Sequence, residues 1–378
     1  MSRRAGTAGP ALAALLAVVG CMGPIPGGSS APARSPVPPG ETARASGAIA
    51  ATTPPVEPDE TLPSAATWRR LPVDGPTPRA REDHTWTLAD DGRTAFLFGG
   101  RDGGATFDDL WTFDLVTSAW RRITVNGNRP AGRFGHEAAW LPGRGLVVFA
   151  GQSDAGFFND VWIFDPAASR WDRQPDGGDV PVPRYGTCSG IGPDGRLWIS
   201  HGFTEDGVRF ADTKAYDFVA GRWADEAPAG NGPIQRCLHA CWWMTDGTLA
   251  LYGGQTTGVP ALGDLWFLSI GPAGPSTNTW TELSDPGPPA RQLAAVARNG
   301  RTTFLFGGRG ADRKPLGDLW VRLDGTSVPF VALRAAGEAP TARSGATLIS
   351  DEAGQRLLLF GGLGDDAFAD LWELDLEV

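Results

Sequence analysis

Short apolar segments that end in glycine recur along the chain from about residue 95 onward. Each reads as a strand of four or five residues followed by a glycine pair or a variant of it, and successive final glycines are 51 to 54 residues apart. These segments end at Gly100, Gly151, Gly202, Gly254, Gly308 and Gly362. The regular spacing predicts six similar units.

Three further strand signals repeat inside the units. A second apolar segment opens with an aspartate, at Asp109, Asp160, Asp212, Asp264, Asp318 and Asp370. Another begins with tryptophan, at Trp68, Trp120, Trp171, Trp223 and Trp280, with Pro329 at the sixth place. The last follows the motif P-x-x-R, whose arginines are Arg81, Arg133, Arg184, Arg236, Arg291 and Arg343. Four strands per unit predict an all-β fold.

Composition supports short strands joined by tight turns. The chain of 378 residues contains 52 glycines and 32 prolines, and its 15 tryptophans far outnumber its three tyrosines. Glycine and proline interrupt helices and occupy turns, whereas tryptophan is enriched in strands. We therefore expect little helix.

This pattern resembles the kelch repeat, which is marked by a diglycine and by spaced aromatic residues. The resemblance covers residues 68–378 and implies a β-propeller, here with six blades of four antiparallel strands. Ala150 and His201 replace the first glycine of the pair in two units, and Lys214 replaces the tryptophan that follows the aspartate in the third. None of these departures removes a strand.

The phase of the repeat predicts how the propeller closes. The chain enters the repeats with a strand of the outermost kind at Trp68 and ends with a third-type strand that no fourth strand follows. We expect the Trp68 strand to pair with Leu371 to Leu376 and to complete the last blade, which would remove an open sheet edge.

The N-terminal residues have the order of a secretory signal. Two arginines at Arg3 and Arg4 precede an apolar stretch, and Cys21 ends it. The last four residues of this segment resemble the lipobox of bacterial lipoproteins, in which the cysteine is lipidated. We expect a signal peptide at 1–21, a disordered tether rich in Pro, Ala, Ser and Gly at 22–66, and the propeller at 67–378. The protein would be exported to the cell envelope, with a lipid anchor as its one contact with the membrane.

Charge and motifs narrow the function classes. The formal net charge is -10, which opposes binding to a phosphate backbone, so no nucleic-acid partner is expected. The sequence has no nucleophile elbow, phosphate-binding glycine loop or zinc-site spacing, and it has too few tyrosines to resemble the kelch-type copper oxidases. We expect no cofactor, no metal and a monomeric propeller.

The six repeat arginines are the candidate ligand-binding residues, and two interpretations stay open. They could pair with the repeat aspartates and backbone carbonyls to hold the blades in register. Alternatively, Arg81, Arg133, Arg184, Arg236, Arg291 and Arg343 could ring an open channel mouth and bind an acidic ligand, as the resemblance implies. The loops on this face also carry phenylalanines that would either contact a partner or pack over the blades.

Histidine and cysteine give weaker signals. His84, His136 and His239 follow repeat arginines by three residues, where other units have threonine or alanine, so a packing role is expected. Cys188, Cys237 and Cys241 are an odd number, and we interpret them as buried apolar thiols.

The sequence therefore favours a lipid-anchored kelch module that binds a protein or glycan ligand through its long-loop face, and an open arginine ring would suit an acidic ligand. Two alternatives remain. One is an enzyme similar to the sialic acid mutarotases, with Arg133, Arg184, Arg236 and Glu205 around an acidic sugar. The other is a structural scaffold of a cell-envelope complex, in which every repeat arginine is paired internally.

Overall fold

A computed structural model describes residues 62–377 of the chain. The predicted signal peptide, its lipidation site at Cys21 and nearly all of the predicted tether lie outside these residues. Within them the fold is all-β, and the helical segments are two 3-10 turns, at Glu205–Gly207 and Pro275–Thr277. Blade formation begins at Ala65, two residues earlier than the expected boundary, because Ala66 is buried and pairs with Leu376.

The strands of the first half of the molecule form blades 1 to 3. The chain begins with β1 (Ala65–Leu71), which belongs to blade 6. Blade 1 contains β2 (Thr85–Leu88), β3 (Thr94–Phe98), the loop strands β4 (Arg101–Asp102) and β5 (Ala105–Thr106), β6 (Leu110–Asp114) and β7 (Ala119–Arg122). Blade 2 contains β8 (Glu137–Leu141), β9 (Gly145–Phe149), the loop strands β10 (Gln152–Ser153) and β11 (Gly156–Phe157), β12 (Val161–Asp165) and β13 (Arg170–Arg173). Blade 3 contains β14 (Gly177–Gly178), β15 (Cys188–Ile191), β16 (Leu197–Phe203), β17 (Arg209–Asp217) and β18 (Arg222–Asp225).

The second half forms blades 4 to 6. Blade 4 contains β19 (Ala240–Trp243), β20 (Leu249–Tyr252), β21 (Leu265–Ser269) and β22 (Thr279–Leu283). Blade 5 contains β23 (Arg291–Gln292), β24 (Ala295–Asn299), β25 (Thr302–Gly310), β26 (Pro315–Leu323) and β27 (Val331–Ala332). Blade 6 contains β28 (Ala336–Gly337), β29 (Thr347–Asp351), β30 (Arg356–Phe360) and β31 (Leu371–Glu377).

The first full strand of each blade lies on the axis of the propeller. These inner strands contact one another in a closed cycle, in the order β2, β8, β15, β19, β24, β29 and back to β2. The apolar cores lie between neighbouring blades, because each sheet has two apolar faces and neither can be buried within the blade alone. The six-bladed architecture predicted from the sequence is confirmed.

The N-terminal strand closes the propeller as the phase of the repeat predicted. All seven residues of β1 pair with β31 in antiparallel register, from Ala65 opposite Glu377 to Leu71 opposite Leu371. The Trp68 side chain is 3% exposed and packs in the core between blades 5 and 6. Blade 6 therefore combines the first and the last strands of the described chain.

The glycine pairs have a conformational reason. The first residue of each pair has a positive φ, which is 65° at Gly99, and a Cβ there would lie 2.5 Å from the carbonyl oxygen of Arg133 in the next blade. Ala150 and His201 adopt the same backbone conformation, both with φ of 63°. The substituted units thus keep the close approach of neighbouring blades, at the cost of a left-handed backbone in a residue that carries a side chain.

A ring of six backbone hydrogen bonds encircles the axis. In each blade the residue two places after the repeat arginine donates its N–H to the carbonyl of the equivalent residue in the preceding blade, at 2.9 or 3.0 Å. The six members are Asp83, Gly135, Gly186, Leu238, Leu293 and Gly345, all with positive φ. This closed cycle, the axial ring, joins the entrances of all six inner strands.

Candidate functional site

Each repeat arginine is buried and holds a carboxylate of its own blade. The Nη1 and Nη2 atoms of Arg133 donate to the two carboxylate oxygens of Asp160, at 2.7 and 3.2 Å. Nη1 also donates to the carbonyl oxygen of Ala150, and Nε donates to that of Ala131. The Arg133 side chain has no exposed surface, so four donor contacts leave its guanidinium internally satisfied.

The same arrangement occurs in all six blades. The pairs are Arg81 with Asp109, Arg133 with Asp160, Arg184 with Asp212, Arg236 with Asp264, Arg291 with Asp318, and Arg343 with Asp370. In five blades the aspartate also accepts a hydrogen bond from the indole two residues later, whereas blade 3 has Lys214 at that place. The repeat aspartates are therefore shared between the arginine and the tryptophan of one blade.

The backbone of each repeat arginine joins its blade to the preceding one. The N–H of Arg133 donates to the carbonyl of Phe107, and the N–H of Gly100 donates to the carbonyl of Arg133. Equivalent bonds occur at all six junctions, including Gly362 to Arg81 between the last blade and the first. Each arginine thus fixes its own blade through its side chain and the neighbouring blade through its backbone.

These contacts stabilise the charged form of five repeat aspartates, namely Asp109, Asp160, Asp264, Asp318 and Asp370. Burial alone would raise the pKa of the Asp160 carboxyl, but the hydrogen bonds and the charge of Arg133 outweigh it and hold the pKa below its ordinary value. The balance is the same at Asp109 beside Arg81. The geometry favours the first interpretation, in which the arginines hold the blades in register. Ligand binding by these arginines stays a prediction, and their side chains present no open guanidinium to a ligand.

Several loop phenylalanines cover the buried arginines. The rings of Phe107, Phe158, Phe210 and Phe368 lie 4.0 to 4.4 Å from the guanidinium carbons of Arg81, Arg133, Arg184 and Arg343. A guanidinium over an aromatic face is attracted by the ring quadrupole. These four side chains therefore pack over the blades, which was one of the two roles that the sequence left open.

The residues considered for a mutarotase-like site do not form a common pocket. Arg133, Arg184 and Arg236 are buried in their separate blades, each against its own aspartate. Glu205 is exposed in the 3-10 turn of the blade 3 loop. The arrangement offers no shared cavity in which these four side chains meet.

The histidines after the repeat arginines pack between inner strands. His136 Nε2 lies 2.9 Å from the hydroxyl of Thr85 in the preceding blade, and His84 Nε2 lies 2.7 Å from that of Thr347. Burial, together with the charge of Arg133, lowers the pKa of His136 to about 3. The imidazole is therefore neutral at physiological pH and serves as a link between blades.

The interpretation of the cysteines as buried apolar thiols is wrong for two of them. Cys188 of β15 and Cys241 of β19 form a disulfide, with their Cα atoms 5.8 Å apart. They are 53 residues apart in sequence, close to one repeat, so they face each other on neighbouring inner strands. Cys237 is buried outside this bond. Leu238, with φ of 60°, turns the chain before β19, so Cys237 does not share a strand face with Cys241.

Two sets of side chains surround the axis on the loop face, and together we call them the mouth. One set follows the repeat arginines directly, and the other follows the glycine pairs directly. The backbones of the two sets pair across each blade. The residues after the repeat arginines are Glu82, Phe134, Tyr185, Cys237, Gln292 and Ser344. The residues after the glycine pairs are Arg101, Gln152, Phe203, Gln255, Arg309 and Leu363.

One half of the mouth is charged. Arg101 pairs with Glu82 at 3.0 Å and with Asp83 at 3.2 Å, and Arg309 of blade 5 donates to the Ser344 hydroxyl at 3.4 Å. Burial and the neighbouring charge of Asp83 raise the pKa of Glu82 to about 7, against the lowering effect of both arginines. Both arginines are partly exposed, unlike the repeat arginines.

The other half of the mouth is aromatic and apolar. Phe134, Tyr185, Phe203 and Leu238 form a cluster of their own, separate from the cores between the blades, and Phe157 packs against it. The guanidinium carbon of Arg101 lies 4.2 Å from the Phe134 ring centroid, where the two halves meet. Aromatic residues and arginine, which occur together here, are enriched in protein interfaces.

Sequence reasoning missed the mouth because it followed the residues that repeat. Arginine, aspartate and diglycine recur in every blade and build the frame, whereas the mouth positions differ from blade to blade. The mouth positions occupy the same place in every repeat but carry different residue types, and a search for that pattern would have found them. They are the positions directly after each glycine pair and each repeat arginine.

Neither a metal centre nor a membrane-spanning helix is found in residues 62–377. No group of three or more histidine, cysteine, aspartate or glutamate side chains is placed to hold a metal ion in this part of the chain. Its helical segments are too short to cross a bilayer.

Comparison with protein families gives one match that spans the propeller. Residues 62–254 and 226–378 match the family described as the KLHDC2/KLHL20/DRC7 Kelch-repeats domain. The two matched segments overlap and together cover all six blades.

Among curated proteins, similar sequences occur in plants and yeast. Adagio-like protein 3 of Oryza sativa is 30% identical over 260 residues, which cover 65% of this chain and 40% of that protein. An F-box/kelch-repeat protein of Arabidopsis thaliana is 28% identical over 331 residues, which cover 77% and 67%. Kelch repeat-containing protein 2 of Saccharomyces cerevisiae is 30% identical over 165 residues, which cover 40% and 18%. The chain thus spans about two fifths of the length of the Adagio-like relative.

Proposed function

Because the chain belongs to the kelch-repeat family of β-propellers, we propose that it is a binding module that recognises a protein ligand through the mouth on its loop face. Kelch propellers are a type of protein-interaction module. The observation that carries the proposal is the irregular set of mouth residues on a regular frame. The side chains at these positions differ between blades. Four of them are partly exposed and can contact a partner, namely Arg101, Gln152, Arg309 and Leu363, whereas the buried repeat arginines cannot.

The chemistry of the mouth indicates what such a ligand carries. The partly exposed side chain of Arg309 donates one long hydrogen bond, to Ser344. Its remaining N–H groups are suited to donate to a ligand carboxylate. Phe134 and Phe203 of the aromatic half are buried, but Phe157, which packs against their cluster, is partly exposed and offers apolar area. We therefore expect a peptide segment that carries an acidic side chain and an apolar one.

Arg309→Ala tests this proposal. We expect it to weaken the binding of peptides selected on the wild-type protein from a random displayed library by ten- to hundredfold, because a hydrogen bond to a charged group contributes about 1.5 to 3 kcal/mol. The control is Arg222→Ala, which removes an exposed arginine on the outer strand β18 and should leave the affinity unchanged. Peptides that bind all three proteins equally would contradict a ligand site at the mouth.

A scaffold role is the second candidate, because all six repeat arginines are paired internally as that hypothesis expects. A scaffold whose loop face recognises no segment would yield no peptide that depends on Arg309. The same selection therefore separates the two functions.

We also propose that the protein is exported and is anchored by a lipid at Cys21. The support is the lipobox-like sequence before Cys21 together with the disulfide between Cys188 and Cys241, since disulfides persist mainly in oxidising compartments. An extracytoplasmic module on a lipid anchor would present its mouth to other proteins of the cell envelope.

Cys21→Ser tests the anchor. We expect radiolabelled palmitate to enter the wild-type protein and not the variant, and the variant to leave the membrane fraction, because the lipid is attached through that thiol. Alkylation of the protein as isolated should leave Cys188 and Cys241 unmodified. Equal labelling of wild type and variant would contradict the anchor, and alkylation of both cysteines would contradict export.

A further inference from the structure

The inner strands enclose a cavity on the propeller axis. Its volume is about 230 Å³, and residues of all six inner strands or of the turns that lead into them line it, beneath the axial ring. Most of the lining is apolar, with Ala138, Ala295, Val296 and Leu348 among its members. The cavity adjoins the mouth, because Leu238 belongs to both the lining and the apolar cluster and Asp83 of the lining pairs with Arg101. The repeat arginines do not line it.

One glutamate in the lining of this cavity has no hydrogen-bond or ion-pair partner among residues 62–377. Glu137 begins β8 on the axis, and within residues 62–377 no side chain or backbone group donates a hydrogen bond to its carboxylate or forms an ion pair with it. Glu137 is partly exposed to the cavity, and a carboxylate whose access to water is reduced carries a desolvation cost unless a cation or hydrogen-bond donors compensate it. Burial accordingly raises the pKa of Glu137 well above its ordinary value.

Many other buried or partly buried carboxylates of this propeller have a cationic partner. The six repeat aspartates have their arginines, and Asp324 and Glu373 have arginine partners as well. Glu137 differs because the cavity lining contains no arginine or lysine. The missing positive charge is therefore a local feature of the cavity.

A second acidic oxygen lies at the edge of the same cavity. Asp83, a member of the axial ring, lines the cavity and is 7% exposed, and its Oδ1 atom is buried without a hydrogen-bond partner while Oδ2 contacts Arg101. The hydroxyl-bearing side chain of Thr87 also lines the cavity. The lining has two acidic side chains, four threonine hydroxyls, three histidine rings and no lysine or arginine, which gives the cavity a preference for a positively charged guest.

The donor set favours an ammonium over a metal ion. Calcium takes six to eight oxygen ligands. No group of three or more metal-binding side chains occurs in residues 62–377, so the cavity does not supply such a shell. An alkylammonium needs one carboxylate, further acceptors for its remaining N–H groups, and apolar surface for its chain. Glu137, Asp83 with Thr87, and the alanine, valine and leucine side chains match these three needs.

We propose that the axial cavity binds a small primary alkylammonium, with Glu137 as its counter-ion. The volume restricts the ligand to a short aliphatic amine, and the apolar lining holds its carbon chain. Binding places a positive charge next to the unpaired carboxylate and thereby removes its desolvation penalty. This site does not depend on the peptide-binding role proposed for the mouth.

Butylammonium chloride is the probe for the test, applied to the purified full-length protein in calorimetric titration and thermal unfolding. We expect saturable binding and a rise in the melting temperature. Glu137→Gln, which keeps the shape and removes the charge, should bind at least tenfold more weakly. The matched control is Glu338→Gln, which neutralises an exposed glutamate and should bind as the wild type does.

Two comparisons on the wild-type protein keep the test independent of the variants. Butanol has the same chain without the charge and should give no saturable response, and calcium chloride should give none either. The proposal is overturned if butylammonium and butanol act alike, if Glu137→Gln binds butylammonium as tightly as the wild type, if calcium alone gives a saturable response that Glu137→Gln loses, or if butylammonium gives no saturable response.

Discussion

Deletion of residues 65–71 is expected to abolish the cooperative unfolding transition of the propeller. The segment is β1, which pairs along its full length with β31 and is the one part of blade 6 that comes from the N-terminal end of the described chain. Its loss would expose the backbone edge of β31 and would uncover the core between blades 5 and 6, from which the buried Trp68 side chain would be missing. Removal of a single buried tryptophan side chain already costs about 3 to 5 kcal/mol, a large part of the stability of a typical domain.

The control for this prediction is deletion of residues 22–61, the predicted tether. That deletion removes a much longer segment than the seven residues of β1 and none of the paired strand, so the melting temperature should stay within a few degrees of the wild type. Thermal unfolding followed by near-UV circular dichroism measures both. A shared melting temperature for the two deletions would contradict closure by β1.

Arg133→Ala is expected to lower the free energy of unfolding by about 3 to 5 kcal/mol, the range found when one partner of a buried ion pair is removed. The substitution would leave Asp160, whose side chain is 18% exposed, without its counter-ion and would leave the carbonyls of Ala150 and Ala131 without their guanidinium donors. The value belongs near the lower end of the range, because water reaches part of Asp160.

Two further variants make this prediction specific. Arg133→Lys keeps the charge but not the paired N–H groups, so its loss of stability should lie between zero and that of Arg133→Ala. Arg222→Ala removes an exposed arginine and should change stability by less than about 0.5 kcal/mol. Urea unfolding of the three variants and the wild type gives the comparison, and an unchanged stability of Arg133→Ala would count against the structural role.

The architecture could be read from the sequence because the frame is periodic. Diglycine, aspartate, tryptophan and arginine recur once per blade, and each has a fixed structural task in all or most blades, so a spacing of 51 to 54 residues predicts six sheets. The phase of the repeat also predicted that the Trp68 strand closes the ring. These features depend on local pattern and on order along the chain, both of which a sequence displays directly.

The candidate sites could not be read in the same way, because they depend on contacts between blades. The disulfide needs Cys188 and Cys241 on facing inner strands, and the spacing by itself does not distinguish facing from distant cysteines. Glu137 looks like an ordinary polar residue at the start of a strand, and only the structure reveals that it faces an axial cavity whose lining, within residues 62–377, contains no lysine or arginine. The mouth is hidden because its members, such as Arg309 and Phe203, do not repeat.

The choice between an open and a paired arginine ring was the main question that the sequence left undecided. Both outcomes use the same six residues and the same positions. What separates them is the direction of each guanidinium, which points into its own blade toward an aspartate about 27 residues later in the chain. The proposed recognition then involves the mouth, where Arg101, Gln152, Arg309 and Leu363 are partly exposed.

The most direct test of this division between frame and mouth is a double-mutant cycle on Arg133 and Asp160. The free energies of urea unfolding are measured for the wild type, Arg133→Ala, Asp160→Ala and the double variant. Contacting residues in one ion-pair network couple by about 0.5 to 3 kcal/mol, and the buried bidentate geometry predicts a value of about 2 to 3 kcal/mol. A coupling free energy near zero would contradict the account, because it would mean that the arginine is not held by the frame.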